Sequence, residues 1–89
     1  MIFGYNTDVK LGEVVYHVQS EARAAEMVLQ TMVFVQGRCI GKRTVSYSET
    51  TAQPGYNEQL IQEMLKAQHR WVVEAARDGY VEDALSIRR

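Results

Sequence analysis

GYNTDVKLGEVVYHVQSE, residues Gly4 to Glu21, alternates apolar and polar side chains on both sides of a glycine. Side chains on a strand point to opposite faces with a period of two. A two-residue turn at Leu11-Gly12 places Lys10 opposite Glu13, Thr7 opposite Tyr16 and Asn6 opposite His17, with Asp8 as the diagonal neighbour of His17. Tyr5, Thr7, Val9, Val14, Tyr16 and Val18 then share one face. Asn6, Asp8, Lys10, Glu13, Val15, His17 and Gln19 share the other. The stretch reads as a half-buried antiparallel hairpin.

The rest of the chain supplies what that apolar face packs on. Residues 20–27, SEARAAEM, read as a connector with a possible helical turn, because Ser20 suits an N-cap and the alanines suit a helix. Residues 28–48 read as a second hairpin turning at Gln36-Gly37. Val28, Met32, Phe34, Cys39, Val45 and Tyr47 fall on one face, with Arg43 near its end. Leu29, Thr31, Val33, Val35, Ile40, Lys42 and Thr44 fall on the other. Gly41 marks a bulge or a close approach. ETTAQPG, residues 49–55, reads as a loop.

Residues 57–78 read as a helix of about 20 residues and about 30 Å, capped by Asn57 and stopped at Asp78-Gly79. Its apolar stripe collects Leu60, Ile61, Met64, Leu65, Trp71, Val72, Ala75 and Ala76, interrupted near the centre by Gln68. His69 borders one edge, and Val73 lies beyond it. The stripe is about 160° wide, more than one sheet face requires. Its surplus edge is a candidate contact for residues 79–89, a second copy or a partner. The expectation is a single α+β domain over 1–89: a four-stranded antiparallel sheet of two hairpins (1–19 and 28–48) with one long helix packed on one face. The last residues, 86–89, are expected to fray.

Composition narrows the function classes. Net charge is −1, and both halves of the chain carry nearly balanced charge. Bulk electrostatics therefore favours neither nucleic acid nor acidic substrates. The single cysteine, Cys39, rules out an internal disulfide and fits a reducing cytoplasm. No apolar run reaches the roughly 20 residues of a membrane helix, and no signal peptide is visible at the start.

Asn6, Asp8, His17 and Gln19 form a polar patch that suits recognition, or a pH-sensitive His–carboxylate pair. A solvated sheet face explains the same residues. Catalysis needs a nucleophile and a pocket, and Ser20 and Cys39 sit in no supporting motif. His17 and His69 lack metal-ligand spacing, so no metal or cofactor is expected. Arg38, Lys42, Arg43 and Tyr47 form a basic, partly aromatic hairpin. That hairpin is an alternative nucleic-acid surface, a solvated edge, or a protein contact. Trp71 and Val73 are core or interface anchors.

Gly4-Tyr5-Asn6-Thr7-Asp8-Val9 and Val15-Tyr16-His17-Val18-Gln19-Ser20-Glu21, with Ser46-Tyr47 and Gln68-His69-Arg70, resemble a group of short bacterial proteins. Their pattern is G-[FY]-N-T-D-V followed by V-Y-H-V-Q-[ST]-E, and no enzymatic activity comes with the resemblance. In size and layout the chain is also similar to RomX-type polarity adaptors. That similarity implies a non-enzymatic cytoplasmic adaptor acting with a response regulator on a Ras-like small GTPase in bacterial cell polarity. The alternatives are a nucleic-acid-binding module and a small-ligand-binding homodimer. The residues carried forward as partner-binding candidates are Asn6, Asp8, His17, Gln19, Arg38, Lys42, Arg43, Tyr47, Trp71 and Val73.

Overall fold

A computed structural model describes residues 4–85. It is an α+β fold. β1 (Gly4–Leu11), β2 (Val14–Arg23), β3 (Val28–Val35) and β4 (Arg38–Ser46) form an antiparallel sheet in the order β1-β2-β3-β4. A helical turn, α1 (Ser48–Thr51), precedes the long helix α2 (Glu58–Arg77), and a short helix, α3 (Val81–Leu85), follows it. The fraying expected at 86–89 lies outside the described residues.

The first hairpin keeps the expected faces but changes partners. Its turn is Gly12-Glu13, so Asp8 stands directly opposite His17 and Asn6 opposite Gln19. Gly12 supplies the positive φ, +63°, that the first central position of a type II′ turn requires. Moving a two-residue turn by one position shifts the pairing by two, which preserves the faces while replacing every partner. β2 then runs on to Arg23, through the first half of the expected connector. A four-residue loop closes it, with Met27 at φ 53° and Met27 N donating to Ala24 O at 3.2 Å.

In the second hairpin, Gln36 and Gly37 both take positive φ, the type I′ signature. Phe34 pairs with Cys39 but Val33 pairs with Gly41, so Ile40 is an extra residue in β4. That bulge exchanges the two expected faces of β4 beyond it. Gly41, Arg43 and Val45 join Leu29, Thr31 and Val33 under the helices, whereas Lys42 and Thr44 turn outward. A Cβ on Gly41 would lie 3.0 Å from Leu85 Cδ1, so this glycine makes room for α3.

α2 has the expected bounds. The Asn57 side chain accepts from Leu60 N at its start. At its end Gly79 has φ +85°, Gly79 N donates to Ala76 O and Tyr80 N to Ala75 O, a Schellman closure. The buried side of the helix is Ile61, Leu65, Gln68, His69, Val72, Val73 and Ala76. Val73 is therefore core, because the helix leans over β1 and β2, and the surplus apolar edge is the opposite one, at Leu60 and Trp71.

The core divides into three layers along the strands. Val9, Val18, Val33, Val72, Val73, Ala76 and the α3 residues pack at one end. Leu29, Tyr47, Ile61 and Leu65 pack at the other, with Tyr5 and Ala22 against them. Between them β1, β2 and β3 each place one hydroxyl inward, Thr7, Ser20 and Thr31, facing Gln68 and His69.

Candidate functional site

The helices cover one face of the sheet, and the opposite face carries no second layer of described residues. One row across it reads Asp8, His17, Phe34, Cys39, and the next reads Asn6, Gln19, Met32, Lys42. Asp8 Oδ1 and His17 Nδ1 lie 2.6 Å apart. Val15 is 38% exposed on a face where large apolar groups normally need a cover. A concavity of about 180 Å³ lies among Gly4, Tyr5, Asn6, Gln19, Ser20, Glu21 and Met32. It is smaller than the roughly 300 Å³ at which ligand pockets begin. The arrangement suits a mixed polar and apolar docking face, with Phe34 and Met32 at its centre.

The structure thus brings Asn6, Asp8, His17, Gln19 and Lys42 together. It separates them from the other candidates. Arg43 lies under the helices, its guanidinium 4.2 Å over the Trp71 ring, with Nη1 donating to Ala84 O. Arg38 is exposed beside the hairpin turn. The three cations of this hairpin therefore form no single basic surface. Tyr47 is buried in the core, where burial pushes its phenol up. Val73 is likewise buried. Neither can contact a partner. Trp71, 43% exposed, marks a separate edge.

The transverse polar layer is the feature that reading the sequence missed. Gln68 Nε2 donates to Thr31 Oγ1 at 3.0 Å, and the Leu29 and Arg43 carbonyls lie at 3.4 and 3.5 Å from it. Two carbonyl neighbours fix which end of the amide is nitrogen. Thr31 Oγ1 lies 2.7 Å from Ser20 Oγ, which lies 2.7 Å from His69 Nδ1, and His69 Nε2 lies 2.8 Å from Thr7 Oγ1. Thr31 is fully buried, so its hydroxyl hydrogen must be used inside this layer. The chain then runs one way. Gln68 donates to Thr31, Thr31 to Ser20, Ser20 to Nδ1, and Nε2–H donates to Thr7.

That direction requires a neutral imidazole. A proton on Nδ1 would turn Ser20 into its acceptor and leave the hydrogen of either Ser20 or Thr31 without an acceptor in the layer. Burial independently holds the His69 pKa below its ordinary value of 6.5. Ser20 and His69 have the contact of a nucleophile and base, but the Ser20 residue is only 4% exposed and its hydroxyl is held within the layer. The layer instead aligns helix on sheet, since sliding either would leave buried polar groups unpaired. Two signals pointed to it: Gln68 inside the apolar stripe and Thr7 on the apolar face.

Among the described residues, no group of three His, Cys, Asp or Glu side chains could hold a metal, and no helix is long and apolar enough to cross a membrane. The chain matches no protein-family model, no curated protein and no solved structure.

Proposed function

We propose that this chain is a small non-enzymatic adaptor that docks a folded protein partner on its helix-free sheet face. The observation that carries the reading is the uncovered face itself, with Val15, Met32 and Phe34 set among Asn6, Asp8, His17, Gln19 and Lys42. Such a mixture matches an interface core and its polar rim. The exposed thiol of Cys39 suits a reducing cytoplasm. The sequence resemblance makes a Ras-like small GTPase and a response regulator the first partners to test.

Calorimetric titration of the full chain against each purified partner, with the GTPase in both nucleotide states, measures the affinity. Phe34→Asp puts a charge at the centre of the face and is expected to weaken binding by about a hundredfold, the range of an interface hot spot. Unchanged affinity for a folded Phe34→Asp variant would overturn the reading.

A further inference from the structure

The sheet has two edges, and they are not equivalent. β4 carries the bulge at Ile40 and lies against α3. Both features discourage the addition of another strand. β1 pairs with β2 from Gly4 to Leu11 without a register shift. A two-residue turn makes Leu11 and Val14 a hydrogen-bonded pair, and the pattern alternates from there. Gly4, Asn6, Asp8 and Lys10 therefore point their backbone N–H and C=O groups away from the sheet, a ready template for a fifth strand.

The helix flank above this edge presents three cations nearest the strand, with Glu63 and Glu74 further round towards solvent. His69 contacts Thr7 and Tyr5, and Val73 packs in the same cluster as Val9, so the β1 side of α2 is the side that bears Val73. At 100° per residue, Lys66, Arg70 and Arg77 lie within about 60° beyond Val73, overhanging the edge. All three are exposed and make no ion pair with another described residue. Lys66 to Arg70 rises about 6 Å, close to the roughly 6.6 Å between alternate residues of a strand.

We propose that the β1 edge binds an extended acidic segment of a partner protein as an added fifth strand. Its backbone joins the ladder of Gly4, Asn6, Asp8 and Lys10, and every second side chain is a carboxylate aimed at Lys66, Arg70 and Arg77. Charge also excludes the obvious competitor. Pairing two copies through β1 would set the same three cations against one another across the two-fold axis. This site uses the backbone edge of β1 and the helix flank, whereas the helix-free face uses the Asn6 and Asp8 side chains and centres on Met32 and Phe34.

The test titrates the ¹⁵N-labelled full chain with an octapeptide of alternating glutamate and valine or threonine, followed by amide shifts. Shift changes are expected along Gly4 to Leu11. The exposed triple variant Lys66→Glu/Arg70→Glu/Arg77→Glu is expected to weaken binding by about tenfold or more, the sum of three surface ion pairs. Phe34→Asp is expected to leave it unchanged, which separates this site from the face. Three results would overturn the proposal: equal binding of the lysine counterpart, equal binding of an equally acidic peptide with proline at alternate positions, or no binding at millimolar peptide.

Discussion

His69 is the residue through which pH reaches the core. Its neutral form is required by the one-way chain from Gln68 to Thr7, and burial lowers its pKa from 6.5. In the unfolded chain the same imidazole titrates at its ordinary value. The unfolded state thus takes up a proton first as pH falls, so stability is full above about pH 6.5 and declines below it, levelling off under the folded pKa. Chemical denaturation between pH 8 and pH 5 checks this. His69→Gln is expected to lower stability by about 1–3 kcal/mol at pH 8, through orphaned hydroxyls, and to lose that part of the pH dependence. A variant with the same slope as the parent would contradict the assignment to His69. Gln68 was visible in the sequence as a polar break in an apolar stripe. Its partners were not, because a hydrogen bond to Thr31 joins positions that only the folded register brings together.

At the scale of elements, the period of two placed the strand faces and the period of 3.6 placed the long helix, bounds and cap included. Both signals are local. What escaped was set by single residues that shift phase. The turn at Gly12-Glu13 preserved the faces of β1 and β2 but exchanged their partners, bringing Asp8 rather than Asn6 against His17. Ile40 inverted β4 beyond the bulge, which is why Arg43 and Tyr47 lie on the core side while Lys42 moves to the open face. Val73 was read as an edge because the helix was centred on Gln68, whereas the helix leans over β1 and β2. Gly41 ties the bulge to α3. Gly41→Val would drive a branched side chain into Leu85 and is expected to destabilise the fold by about 1–3 kcal/mol. The unfolding midpoint in urea measures it, and a neutral result would mean that α3 moves aside freely.

For the whole molecule, a single sheet with helices on one side leaves two surfaces open: the uncovered face, and the β1 edge beneath the helix flank of Lys66, Arg70 and Arg77. The polar layer keeps both in place by locking the helix onto the strands. The fold class and the patch of Asn6, Asp8, His17 and Gln19 were legible because alternation in the first hairpin is nearly unbroken. The contribution of Met32 and Phe34 was not, because the same alternation leaves open which side of the sheet the helix takes. The docking reading puts the partner on the side opposite α2, and methyl groups distinguish the two sides directly. In a complex of methyl-labelled, otherwise deuterated chain with an unlabelled partner, cross-saturation from the partner is expected to be strongest at Val15 and Met32. Saturation concentrated at Leu60 and Met64 would place the partner on the helix edge and contradict the assignment of the open sheet face.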